Sequence, residues 1–308
     1  MAGLNRHGKV TFSPKQFDRS RGEAFRLPCG QCLECRLDRS REWAIRVTHE
    51  SQFHEGSSFI TLTYRDPLPS PRLQYDHFQD FLKRLREREF DRLGSRLDLR
   101  YIVCGEYGPK LKRPHWHAVL LGYWPHDARV LRTTDLGHTV FRSKSLDQIW
   151  GYADRPNEIG FVSFEDASYV ARYSAKKLVH GLDHEHDFHP IFKCSRGRAI
   201  GRLWIQKYAD QVLSQGYIRH PQNGAQLSVP RYYEKWLLKN KPNEFIRYLV
   251  DVKGPRIAEA ERRERRLKSI WFDLCTLRGP SLRTLDEKQR RAILLDSMFN
   301  SLKSFMKD

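Results

Sequence analysis

Hydrophobic positions change period several times along the first half of the chain, and each change marks an element. Between Tyr75 and Leu93, Phe78, Phe81, Leu82, Leu85 and Leu93 recur at three-to-four spacing among Lys, Arg and Glu, which predicts an amphipathic helix. Phe59-Ile-Thr-Leu-Thr-Tyr64 is β-branched and aromatic and is stopped by Asp66-Pro67, which predicts a strand. Two more strands are predicted over Leu99–Tyr107 and His115–Leu121, and the turn-rich residues 108–114 join them as a hairpin. A loop-rich stretch leads through Ile149-Trp150 to a strand over Ile159–Phe164. Asp166 is placed to cap a helix from Ala167 to His180, closed by Gly181. Upstream, Trp43, Ile45 and Val47 lie among arginines and predict a basic helix over 37–47. This order lacks the alternation of a doubly wound sheet. It predicts an α+β fold, an antiparallel sheet with helices on one face.

From about 190 the chain turns basic and aromatic, with Pro230-Arg-Tyr-Tyr-Glu-Lys-Trp236 inside that stretch. Arg256–Lys268 is charge-dense and predicts a solvated helix, and Leu285–Met306 predicts another. Three segments are expected: a basic N-terminal segment with a cysteine cluster (1–56), the α+β core (57–190), and a basic, mostly helical accessory region (191–308). Neither an internal repeat nor an extended low-complexity segment is present.

Charge narrows the partners. With 39% hydrophobic and 12% aromatic residues, 308 residues suffice for a real core, yet the formal net charge is +18 and is spread along the chain. Such a field favours a polyanion, nucleic acid or an anionic membrane. There is no apolar run of membrane-spanning length, and Met1–Lys15 lacks a signal-peptide core, so nucleic acid is favoured and a reducing cytoplasm is expected. Three of the six cysteines, Cys29, Cys32 and Cys35, lie too close together for a disulfide framework. Their spacing suits a structural metal, Zn2+ or an iron–sulfur cluster, or plain thiols. A fourth ligand is not evident, with Cys104 and His49 as candidates.

The sharpest chemistry is Arg113-Pro-His115-Trp-His117. Alternate residues of a strand share a face, so the two imidazoles point the same way and Trp116 points to the other layer. Glu106, at the end of the preceding strand, would reach the pair across the hairpin. Two histidines and a carboxylate leave coordination positions open, as a catalytic metal site requires. A bare H-x-H is more often one core and one surface histidine; the strand setting and Glu106 shift that balance. His184 and His186 form a second such pair, but in the acidic, non-apolar stretch 183–187, which reads as a surface loop. On the helix after Asp166, Tyr169, Tyr173, Lys176 and Lys177 fall on one face. Taken alone, two tyrosines at that spacing read as packing. Beside a metal and lysines that favour a phenolate, they read as nucleophiles. Arg36, Arg39, Arg41 and Arg113 are candidates for gripping a DNA backbone.

The order Thr61-Leu-Thr63, Glu106 with His115-Trp-His117, then Tyr169-Val-Ala-Arg-Tyr173-Ser-Ala-Lys176-Lys177 resembles the motifs of the HUH endonuclease superfamily, in the order found in its replication initiators. More closely, Pro28–Arg36, Glu42–Arg46, Phe59–Tyr64, Gly105–Gly108, Arg113–Ala118, Tyr169–Lys177 and Val229–Tyr233 resemble the replication initiation proteins of gokushoviruses, phages of the Microviridae. Trp116 is larger than the residue expected there and is a candidate to crowd the sheet, and Arg172 stands where lysine is usual. The resemblance implies an HUH fold over 57–190, Mg2+ or Mn2+, and nicking of a single-stranded origin through a 5′-phosphotyrosine. It also implies a host helicase and polymerase as partners, since no G-x-x-x-x-G-K-[ST] loop is present. The rival readings are a zinc-stabilised binding protein without catalysis and a single-tyrosine transposase of the same superfamily.

Overall fold

The computed structural model describes residues 33–176 and 191–278, apart from 69, 109, 110 and 136, and within the first 32 residues only 3, 4, 10, 11, 15 and 18. A two-residue ladder, β1 (Gly3–Leu4) with β2 (Val10–Thr11), precedes α1 (Leu33–Ser51). Then follow β3 (Ser57–Leu62), α2 (Tyr75–Leu93), β4 (Arg100–Tyr107), β5 (Pro114–Leu121), β6 (Arg129–Thr133), β7 (Thr139–Arg142), α3 (Lys144–Trp150), β8 (Glu158–Phe161), α4 (Phe164–Lys176) and β9 (Ile191–Cys194). The remainder comprises α5 (Arg202–Gln215), β10 (Ile218–Arg219), β11 (Gln226–Leu227), α6 (Arg231–Asn240), α7 (Pro242–Arg247), a π-helical turn (Tyr248–Lys253) and α8 (Gly254–Arg278).

Seven strands form one antiparallel sheet in the order β6-β7-β8-β3-β5-β4-β9. The predicted hairpin is β4–β5, with Gly108 and Arg113 closing its turn through a 2.9 Å backbone bond. Helices cover both faces of the sheet, which corrects the one-face expectation. On one face Phe78, Phe81, Leu82 and Leu85 of α2 and Leu146, Ile149 and Trp150 of α3 pack against Ile60, Leu62, Val103, Trp116, Ala118 and Leu120. On the other, Ala44 and Val47 of α1 and Ala167 and Val170 of α4 pack against Ile102, Cys104, Val119 and Leu121. The reason lies in the unbroken apolar runs Tyr101–Cys104 and Ala118–Leu121. A strand that is apolar at every position needs cover on both sides.

Pieces that the sequence reading set outside the core, or left as loop, are built into it. α1 packs against α4, and small residues make the approach close: the Ser40 hydroxyl donates to the Ser168 carbonyl at 2.6 Å. β9 pairs with β4, and β6–β7 form a hairpin on the opposite edge. The helix α4 starts at Phe164, three residues before the expected Ala167. Its cap is Ser163, whose hydroxyl accepts from the Asp166 N–H (3.0 Å) while the Asp166 carboxylate takes the Ser163 N–H (3.1 Å). Asp166 is thus the reciprocal member of a capping box. The expected helix end at His180 and Gly181, and the predicted helix Leu285–Met306, lie outside the described residues.

Trp116 does not crowd the sheet. It is fully buried, its indole N–H donates to the Tyr64 hydroxyl at 2.8 Å, and the facing residue on β4 is Gly105. A Cβ on Gly105 would lie 2.7 Å from the indole, so the missing side chain makes the room.

The chain divides into two compact units, 1–208 with 219–233 and 209–218 with 234–308. The sheet belongs to the first. Within the second, Gly216 lies against Val252 and Arg256, the Arg256 guanidinium sits 4.9 Å over the Tyr217 ring, and Lys253 pairs with Glu234 at 2.6 Å. No described helix is long and apolar enough to cross a membrane.

Candidate active site

Strand register assembles the ligands. Glu106 is paired with His115 and Cys104 with His117, so Glu106 and both histidines lie on the face covered by α1 and α4. The Nε2 atoms of His115 and His117 lie 3.1 Å and 3.0 Å from the same oxygen, Oε1 of Glu106. One ligand atom from each residue falls within 4.8 Å of the others, and among the described residues no other cluster of three or more His, Cys, Asp and Glu side chains does so. Glu106 is 8% exposed and the imidazoles are part-buried, which leaves an approach from one side.

The far nitrogens of both rings are occupied. His115 Nδ1 lies 3.1 Å from the carbonyl of Arg113, a pure acceptor, so Nδ1 donates there and Nε2 keeps its lone pair. His117 Nδ1 meets the Thr61 hydroxyl at 3.0 Å. A nitrogen lone pair and a carboxylate oxygen at this separation need positive charge between them, supplied by a proton or a metal ion. Burial tends to raise the Glu106 pKa, but hydrogen bonds from His115, His117 and Tyr169 outweigh it and hold the carboxyl well below the usual carboxylate range. An anionic carboxylate beside two imidazoles suits a divalent cation, and imidazole nitrogens suit Mn2+ better than Mg2+.

Tyr169 joins the same cluster. Ala167 and Val170 seat α4 on the sheet, and the face that carries Tyr169 brings its hydroxyl to donate to Glu106 Oε1. Its ring stands edge-on to His117, centroids 5.1 Å apart, and Phe59 lies parallel to the other side of that imidazole at 5.8 Å. Tyr173 and Lys176 follow on α4 at helical spacing, but their side chains, and Lys177, lie outside the described residues.

Other sequence candidates are placed differently. Arg113 donates to both carboxylate oxygens of Asp66 (2.6 and 2.8 Å) and to the Tyr64 carbonyl (2.8 Å), so its guanidinium ties the head of β5 to the chain after β3. Arg41 pairs with Asp38 at 2.5 Å, Arg39 is exposed, and the Arg36 side chain lies outside the described residues. Cys29, Cys32 and the pair His184/His186 lie outside them too. Cys35 is half-buried on α1. His49 is 14 residues further along that helix, roughly 21 Å by helical rise, so the two cannot share a metal ion. His49 is instead buried, stacked 3.7 Å from Trp204, with Nδ1 3.0 Å from the Tyr233 hydroxyl. Cys104 is buried among Ala44, Val47 and Val119. The positioning roles of Thr61 and Phe59 were not read from the sequence. Their only signal is an alternation that places them on one face of β3.

Three comparisons bear on identity. Residues 57–179 match a family model described as replication-associated protein ORF2. The replication-associated protein VP4 of Bdellovibrio phage phiMH2K is 40% identical over 99% of this chain and 97% of its own length. ORF4 of Chlamydia phage 1 is 32% identical over 74% of this chain and 58% of its own length, and ORF2 of Spiroplasma virus 4 is 26% identical over 79% and 77%. No solved structure matches the chain. A full-length match at that identity, together with the family model across the sheet and α4, assigns the chain to the phage replication-associated proteins, the family of gokushovirus-type replication initiators.

Proposed function

We propose that the chain is an HUH-type, site-specific single-stranded DNA endonuclease and strand-joining enzyme that initiates and terminates rolling-circle replication of a circular phage genome. The observation that carries this reading is the convergence of Tyr169, His115 and His117 on one oxygen of Glu106. A phosphate drawn to the ligands meets the phenol directly.

Glu106, His115 and His117 would hold Mg2+ or Mn2+, which supplies Lewis-acid polarisation of the scissile phosphate. Tyr169 Oη attacks phosphorus, the bond to the 3′ oxygen breaks, and the products are a 5′-phosphotyrosine and a free 3′-OH. The phenolic proton leaves through its hydrogen bond to Glu106, and the departing oxygen takes up a proton. Because the phosphodiester energy is kept in the phosphotyrosine, attack by a 3′-OH reverses the step and joins strands. Tyr173, one helical turn on, acts as the second nucleophile when the origin is regenerated. Lys176 and Lys177 favour the phenolate, and Arg36, Arg39 and Arg41 contact the DNA backbone. In this reading a host helicase and polymerase in the bacterial cytoplasm do the unwinding and extension, and Cys29, Cys32 and Cys35 hold a structural Zn2+.

The test is covalent adduct formation with origin single-stranded DNA and Mn2+ for wild type, Tyr169→Phe, Tyr173→Phe and the double variant. Adduct lost in the double variant is expected. An undiminished adduct there ends the reading and leaves a non-catalytic binding protein.

A further inference from the structure

The face that carries the histidines continues beyond them. β3 pairs with β8 so that Thr61 faces Glu158 and Phe59 faces Gly160, and Thr61 also faces His117 on β5. These side chains share one face of the sheet. There a cavity of about 790 Å³ runs from Phe59 and Thr61 across Gly160 to Val140 on the β6–β7 hairpin, walled by Gln222 and Asn223. It shares Thr61 and Glu158 with a second cavity of about 300 Å³, which contains His115, so the two line one path past the ligands.

The lining specifies an occupant. The Phe59 ring is parallel to His117 within 2°, and a Cβ at Gly160 would meet nothing within 4 Å. An open slot beside a fixed aromatic ring suits a planar ring. The polar lining includes neutral groups, among them Thr134, Thr139, Gln222 and Asn223, that donate and accept hydrogen bonds. The one Lys or Arg in it, Arg132, is paired with Glu158 at 2.8 Å, while Glu165 and Asp166 add negative charge. A phosphate would meet carboxylates and no uncommitted Lys or Arg, so the pocket is built for the base and not the backbone. Its wall is held in place: the Gln222 amide donates to Glu165 in the first turn of α4, and His220 packs on Phe164 at 4.3 Å.

We propose that this pocket takes one unpaired nucleobase beside the scissile phosphate, stacked on Phe59 over Gly160 and read by Gln222 and Asn223. It then sets the sequence preference at that position. For its DNA substrate this rests on the function proposed above.

Gly160→Leu fills the slot at a position whose backbone is not left-handed and whose side-chain space is empty. The measurement is anisotropy binding, in EDTA, of single strands tiled from the phage origin region, with one abasic nucleotide walked along the strand. In wild type, one abasic position should weaken binding roughly tenfold. Gly160→Leu should lose a similar factor on the intact strand and become indifferent to that position, and Gln222→Ala should lose discrimination among bases there. A wild-type abasic profile in a folded Gly160→Leu overturns the pocket. If that variant does not fold, unchanged base preference in Gln222→Ala does so. The adduct assay reports separately: a shifted profile without any wild-type adduct keeps the pocket and sinks the nuclease, and an adduct with an unshifted profile does the reverse.

Discussion

Thr61 and His117 face each other across β3 and β5, with the threonine hydroxyl 3.0 Å from Nδ1 of the imidazole. The equivalent nitrogen of His115 is held by the main chain, at the Arg113 carbonyl, so Thr61 is the side-chain handle on ligand orientation. Thr61→Val keeps the shape and β-propensity and removes the hydroxyl. Mn2+ affinity, measured by calorimetry, should fall about tenfold. Glu106→Gln should cost at least that much, and EDTA should abolish adduct formation until Mn2+ is restored. Equal Mn2+ affinity in Thr61→Val and wild type would remove the hydroxyl from this role.

Gly105→Ala places a methyl group 2.7 Å from the Trp116 ring, in a core without slack. Overpacking of this kind costs about 1–3 kcal/mol, which urea unfolding would resolve. Trp116→Phe in the same chain should recover part of that loss, because the smaller ring vacates the contact. Strict additivity of the two changes would contradict the packing explanation.

His49 should make the fold acid-sensitive. Burial lowers its pKa from 6.5 to about 3, so between those values the unfolded chain binds a proton that the folded chain refuses. The sign follows: stability from this group is fully present above about 6.5 and falls by about 1.4 kcal/mol per pH unit as pH drops towards 3. Burial also tends to raise the Glu50 pKa, but hydrogen bonds from His54 and the Gly201 N–H, with Arg198 nearby, bring it below its usual value, so its contribution is likewise lost in acid. Unfolding followed from pH 7 to pH 4 should therefore be shallower in His49→Gln than in wild type. Identical slopes would refute the assignment.

Arg113 and Arg39 should separate structural from DNA-facing charge. Arg113 is committed to Asp66 and Tyr64, whereas Arg39 is exposed on α1. Arg113→Gln should lower stability by about 1 kcal/mol or less, since Asp66 is well exposed, and leave the salt dependence of single-strand binding unchanged. Arg39→Gln should leave stability unchanged and reduce that slope by about 0.7. A reduced slope in Arg113→Gln would return that residue to the DNA interface.

Periodicity made the local elements legible. The helix over Tyr75–Leu93 and the β4–β5 hairpin are where the apolar pattern put them, because each is specified by neighbours within a few residues. Alternation likewise placed His115 and His117 on one face. The β6–β7 hairpin was not legible, since its strands are short and largely exposed and their polar residues resemble a loop. For α4, Asp166 was read as the cap because it is a good one. A capping box has two members, and the sequence does not say which of them starts the helix.

Residue type and spacing by themselves determined the candidate chemistry: two imidazoles on a strand, a carboxylate one hairpin away, and tyrosines on a later helix. Tertiary structure decided which face they meet on. Register between non-adjacent strands set Thr61 against His117 and Gly105 against Trp116, and helices packed on both sides of β4 and β5 brought Tyr169 over Glu106. A one-residue slip in any pairing would turn those side chains to the opposite layer, and nothing local in the chain states the register. Only burial of both apolar faces at once selects it.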